Sequence, residues 1–257
     1  MANGYYRMGG GGLGLPEGVK YLLIWNGILY LLQHFILAGD YGLLRGLTVG
    51  VGSLPAGIPV GDLESHFRTI PTLFGTVPVL FWQKGFIWQV ATYMFLHGGL
   101  FHILFNMFAL WMFGCELERM WGTRKFIGYY FFTGIGAGLL TVVLTPHGYA
   151  PTIGASGAVY GILLAYALYF PERRILLYFL IPIPVRIFVV IIGLIALINS
   201  LGTSGSGIAH IAHLGGLVFG WAYLRGWGPG NILRRWLWRR RRRGMRVVDF
   251  TRDDDDR

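Results

Sequence analysis

Gly154-Ala155-Ser156-Gly157-Ala158-Val159-Tyr160-Gly161 opens an apolar run that carries no charge before Phe170. A hydroxyl in such a run is unremarkable by itself, and what gives Ser156 meaning is its company. A later apolar segment holds Ala212-His213-Leu214-Gly215-Gly216, and an earlier one holds His97, His102 and Asn106 at or near its start. Ionisable and strongly polar side chains inside a bilayer are costly, and they mark working sites. A serine, a histidine and an amide on three different apolar segments are the groups needed for nucleophilic acyl transfer with a stabilised oxyanion.

The whole composition agrees with a membrane setting. Of 257 residues, 54% are hydrophobic and only 13% charged, and the mean hydropathy is +0.53. A soluble domain is nearer ~25% charged. The 40 glycines follow no G-X-Y period, which excludes collagen, and they are dispersed through apolar segments, where glycine lets helices approach closely. A single cysteine, Cys115, excludes an intrachain disulfide and a cysteine-based zinc site. No His-Glu-x-x-His is present, so no metal and no cofactor are expected. Residues 1–14 are glycine-rich without an apolar core, so the first apolar stretch reads as a signal anchor rather than a cleaved leader.

Six segments are apolar enough to span: 21–38, 100–116, 126–144, 155–170, 185–201 and 208–226. The expected fold is an all-α polytopic membrane protein, a bundle of six transmembrane helices with a long first loop. Residues 1–20 form an N-terminal segment, 21–226 the membrane domain, and 227–257 a basic then acidic tail. The fourth segment covers only ~25 Å at 1.5 Å per residue, which leaves room for a polar cavity above its start. With six spans both termini share a side, and nineteen of the 22 Lys and Arg fall there; Arg45, Arg68 and Lys84 lie opposite. The positive-inside rule then makes both termini cytoplasmic in a multi-pass cell (inner) membrane protein. Ser156, His213, His102 and Asn106 all fall in the outer half.

Two further stretches carry expectations. The first loop is glycine-rich over 42–61, and aromatic with few charges over 67–94, which suits an element lying partly in the outer leaflet. In the tail, Arg234, Arg235 and Arg239–Arg243 interleave with Trp236 and Trp238 beside a membrane span. That pattern favours anionic lipid over nucleic acid. Asp253–Asp256 follow as an acidic terminus.

Helical spacing sorts the candidate residues onto faces. Gly157 and Gly161 share one face, Ser156 and Tyr160 the adjacent one, and His213, Gly216 and Gly220 lie together on the sixth segment. Two seams of small residues let these helices pack backbone to backbone, close enough for a serine to reach an imidazole. His102 and Asn106, four apart, present side by side, either as helix–helix glue or as donors to an oxyanion. His97 lies about a turn earlier, to hold the loop or line a water path. His210 is the rival to His213 as base, but lacks the glycine seam. No Asp or Glu occurs in the fourth or sixth segment, so no buried carboxylate there orients the histidine.

These three motifs, in this order over six spans, resemble the bacterial rhomboid intramembrane serine proteases. The resemblance covers about 21–225. It implies a protease that cuts transmembrane substrates, those with helix-weakening residues best, near their outer end. Ser156 is then the nucleophile, with Gly154 and Gly157 around it, and His213 its base in a dyad without aspartate. His102, Asn106 and the Ser156 backbone N–H form the oxyanion hole, and Tyr160 stacks on His213. A catalytically inactive rhomboid-like binder of membrane clients is the alternative. The family's first loop often carries Trp-Arg, whereas this chain has Trp88-Gln89, which puts a loop-anchoring salt bridge in doubt.

Overall fold

The computed structural model describes residues 14–36, 70–177, 180–201 and 207–228. Helix α1 (Glu17–Leu31) runs into a π turn (Leu32–Ile36). The later part of the first loop forms α2 (Ile70–Phe74), α3 (Pro78–Lys84), α4 (Gln89–Thr92) and a 3₁₀ turn (Tyr93–Phe95). Two long helices follow, α5 (Leu100–Trp121) and α6 (Thr123–Leu144), then α7 (Ser156–Tyr169). A hairpin of β1 (Arg174–Leu177) and β2 (Ile181–Pro184) leads to α8 (Val185–Ser200) and α9 (Gly207–Ala222), which ends in a second π turn (Tyr223–Trp227). The glycine-rich part of the first loop and the basic tail lie outside the described residues.

Helices α5 and α6 have 22 residues each, ~33 Å at 1.5 Å per residue, enough for a bilayer core of ~30 Å. Gly122 alone joins them, at φ +80°, a left-handed conformation that glycine adopts without strain. Helix α7 has only 14 residues, ~21 Å, and is the centre of the bundle. It packs on α5, α6, α8 and α9. Gly157, Ala158, Val159, Gly161, Ile162, Leu163, Ala165, Tyr166 and Ala167 are all buried, so the helix is enclosed nearly all round. Its small residues make this possible: a side chain on Gly216 of α9 would collide with the Gly157 carbonyl, so the two backbones touch.

The helix ends differ from those expected. The second apolar segment was expected to stop at Glu116, and the third to begin at Phe126, where charge appears. Instead α5 continues through Glu118 to Trp121, because that carboxylate has partners of its own. Glu118 accepts from the backbone N–H groups of Gly18 and Val19, each at 2.7 Å, and from Thr123 Oγ1 at 2.6 Å. It caps the start of α1, where N–H groups lack intrahelical acceptors and a negative charge is favoured. One buried acid thus ties α1, α5 and α6 together.

The expected all-α architecture also needs correction at β1 and β2. They pair antiparallel, with Ile175 opposite Ile183. Pro182 and Pro184 sit two apart, so both nitrogens face the same edge, away from β1, and neither costs a ladder hydrogen bond. At the open end of the hairpin, Val185 N–H donates to the Arg173 carbonyl at 2.7 Å.

The loop helices pack beside α6 at the other end of the bundle. Trp82 Nε1 donates to the Val142 carbonyl at 2.8 Å. Thr76 and Thr152 exchange two backbone hydrogen bonds at 2.9 Å, fixing this loop to the segment that leads into α7. Phe74, Trp82, Ile87 and Trp88 are exposed on it.

Candidate active site

Ser156 is the first residue of α7, so its backbone N–H has no acceptor within the helix. The chain enters it through Gly154, whose N–H donates to the Tyr93 carbonyl at 2.9 Å and whose φ is +122°. The side chain of Ser156 is half-buried and faces α9. There His213 Nε2 lies 2.8 Å from Ser156 Oγ. The Tyr160 ring, one turn along α7, stacks on the imidazole with centroids 4.3 Å apart and planes only 5° from parallel. A serine hydroxyl donating to Nε2 leaves the ring proton on Nδ1, which has no partner among the described residues. The imidazole is therefore held by stacking and helix packing, with no carboxylate against it among the described residues.

His210 stands edge-on to His213, centroids 5.6 Å apart. The contact to Ser156 belongs to His213.

His102 approaches from α5. Its Nδ1 accepts a hydrogen bond from the Gly98 N–H at 3.3 Å, which places the ring proton of a neutral imidazole on Nε2. A methyl group added to Gly154 would lie 2.6 Å from His102 Nε2 and 3.7 Å from Ser156 Oγ. The space left by the missing side chain of Gly154 is thus bordered by a hydroxyl on one side and an N–H donor on the other. That is the volume a carbonyl under attack needs, with its carbon near the hydroxyl and its oxygen near the donor. Asn106 is buried, and its Nδ2 donates to the His102 carbonyl at 2.9 Å, leaving one amide hydrogen of two. His97 is completely buried, its ring edge-on to His102 with centroids 5.1 Å apart.

A Rhomboid domain family model matches residues 84–228, more than half of the chain. The protein belongs to the rhomboid family. The rhomboid match takes in His97, His102, Asn106, Ser156, Tyr160 and His213, and leaves out α1. Rhomboid proteins are membrane proteins, typically serine proteases, and the chain is accordingly a helical membrane protein. It is 36% identical over 138 residues to the Rhomboid protease GluP of Bacillus subtilis (strain 168), covering 53% of this chain and 25% of that one. It is 34% identical over 140 residues to Rhomboid protein 1, mitochondrial, of Saccharomyces cerevisiae, covering 52% and 39%. With the human Presenilin-associated rhomboid-like protein, mitochondrial, it shares 33% identity over 137 residues, covering 51% and 35%. The chain thus spans between a quarter and two fifths of the curated relatives it matches.

The sequence reading gave two glutamines no structural role. Gln89 stands where the rhomboid resemblance led us to look for arginine. It is fully buried, and its amide does the anchoring: Nε2 donates to the Thr72 carbonyl at 2.6 Å and Oε1 accepts from the Val77 N–H at 3.0 Å. Gln33 was passed over inside the first apolar segment. Its Nε2 donates to the His97 carbonyl at 3.0 Å, and its Oε1 accepts from the His97 N–H at 3.1 Å. The signal available for both was a polar side chain in a largely apolar stretch, where an unpaired amide is costly.

Proposed function

We propose that this rhomboid is an intramembrane serine endopeptidase, with Ser156 as nucleophile and His213 as its base. The 2.8 Å contact between Ser156 Oγ and His213 Nε2 carries the reading, since a base must reach the proton it removes. As Oγ bonds to the substrate carbonyl carbon, its proton passes to His213 Nε2 and the carbonyl electron pair moves onto oxygen. His102 Nε2–H, the free Asn106 amide hydrogen and the Ser156 N–H stabilise that oxyanion. Its collapse breaks the C–N bond, and the imidazolium returns the proton to the leaving amine. Water, deprotonated by His213, then hydrolyses the acyl-enzyme by the same path. Tyr160 keeps the ring in plane, and Gly154 and Gly157 keep the approach open.

Residues 21–226 form six spans, both termini are cytoplasmic, and the site opens to the outer half of a cell membrane. Four cation–ring contacts support this orientation: Lys20 over Tyr21, Lys125 over Trp121, Arg173 over Phe170 and Arg225 over Trp221, at 4.8–5.4 Å. They gather at the end of the bundle where α1 starts and α5, α7 and α9 finish, opposite Ser156. A helix of ~21 Å rising from that face of a ~30 Å core puts Ser156 ~9 Å below the other face. A carbonyl bonded within a helix is shielded from attack, so substrates with helix-weakening Gly or Pro near the site are preferred. The basic tail, residues 227–257, engages anionic lipid and no nucleic acid.

Labelling by a fluorophosphonate probe, with Ser156→Ala as control, tests the nucleophile. Mass spectrometry of a cleaved single-span substrate tests the depth. Absence of both labelling and cleavage would leave an inactive client-binding rhomboid, and a cut near the cytoplasmic end would refute the orientation.

A further inference from the structure

The π turn that ends α1 brings the first helix to the segment just before α5. A π turn inserts a residue, rotating the following side chains by about 100° relative to an uninterrupted helix. Gln33 lies in it, and its planar amide grips the backbone of His97 at both N–H and carbonyl. Residues 96–98 run between the 3₁₀ turn and α5, outside any helix, so His97 has no helical partner for either backbone group. The side-chain amide of Gln33 supplies both. The peptide whose carbonyl Gln33 holds also carries the Gly98 N–H, the donor to His102 Nδ1 that sets its tautomer and aim.

We infer that Gln33 is a positioning residue for the oxyanion donor, acting through the His97–Gly98 backbone on His102. The inference rests on the reading of His102 as a donor to the oxyanion. Gln33 touches no reacting atom. It lies outside the 84–228 region that the family model matches, so the device comes from a part of the chain that match does not cover. Without the grip, residues 96–98 are free to shift, Gly98 N–H loses its alignment, and the His102 Nε2–H no longer points at the space beside Gly154.

The test is a kinetic cycle on the full-length protein in liposomes, with Gln33→Met, His102→Ala and the double variant, and with thermal stability measured on the same preparations. Gln33→Met keeps the side-chain length and removes both hydrogen bonds. It should lower kcat by about tenfold, part of the 10²–10³ that a full oxyanion donor carries, with KM unchanged. The double variant should be no slower than His102→Ala. Full activity in His102→Ala would overturn the donor reading and this inference with it. A slowed His102→Ala beside a fully active Gln33→Met, or effects that multiply in the double variant, would overturn this inference alone.

Gln33→Glu keeps the test decisive if the methionine variant fails to fold. A protonated carboxyl reproduces both bonds, O–H to the His97 carbonyl and C=O from its N–H, whereas the ionised form loses the donor. Activity relative to wild type at the same pH should therefore fall as pH rises. A ratio that stays flat across the range would overturn the proposal.

Discussion

Replacing Gly154 with alanine is the sharpest single test of where the reaction takes place. The new methyl meets His102 Nε2 at 2.6 Å and His102 Cε1 at 2.8 Å, both closer than a carbon tolerates. Either the imidazole swings away or the Thr152–Gly154 segment moves, and that segment is held by the paired bonds of Thr76 and Thr152 and by the Tyr93 carbonyl. The ring yields first, and the Nε2–H donor is lost or the oxyanion volume filled. Either way kcat should drop by about 10²–10³. At φ +122° the alanine also sits in strained backbone, which should cost about 1–3 kcal/mol. Gly85 separates the two effects: it too has positive φ, at +69°, but a methyl there meets nothing within 4 Å. Gly85→Ala should lose stability and keep kcat. The assay is turnover of a fluorogenic transmembrane peptide per probe-competent or folded molecule, with thermal unfolding in the same detergent. If Gly154→Ala kept full kcat per folded molecule, the space between Ser156 and His102 would not hold the reacting carbonyl, and the proposed geometry would fall.

Other substitutions divide the remaining roles. Ser156→Ala and His213→Ala should each abolish turnover, because nucleophile and base act as a unit, while His210→Ala retains most of it. Steady-state rates decide, and an active His213→Ala beside a dead His210→Ala would reassign the base. His102→Ala and Asn106→Ala should lower kcat by up to about 10²–10³, less if the remaining donors compensate. A loss of thermal stability with unchanged kcat would make them helix glue instead. Glu118→Gln turns an amide N–H towards N–H groups that need acceptors, so it should destabilise by about 1–3 kcal/mol and leave kcat per folded molecule unchanged.

The motifs around Ser156 and His213 were legible because each shows its purpose locally: small residues for close packing, one polar group, and helical spacing between them. Their mutual distance was not, since it depends on how far α7 sinks between α6 and α9. The helix ends were misjudged for a related reason. Hydropathy stops at the first charge, but a helix can run on through a charge that has partners, and the Glu118 carboxylate has three. The β1–β2 hairpin hid behind its prolines, which signal a turn in sequence yet sit harmlessly on a free strand edge.

The glutamines were the least legible part, and they show how this molecule holds its loops. Charges are few, and each needs a partner when taken out of water. A glutamine amide matches a peptide group donor for acceptor, so it can pair with backbone outside any helix without a desolvated charge. Gln89 does this for the first loop, and Gln33 for the segment before α5. Neither choice follows from composition, because the backbone groups they satisfy lie 12 or more residues away and are orphaned only by the fold. The same economy holds at the proposed Ser156–His213 pair, where a flat tyrosine ring stacks on the face of His213 and the Gly157–Gly216 contact brings the two helices together, while Nδ1 has no partner among the described residues.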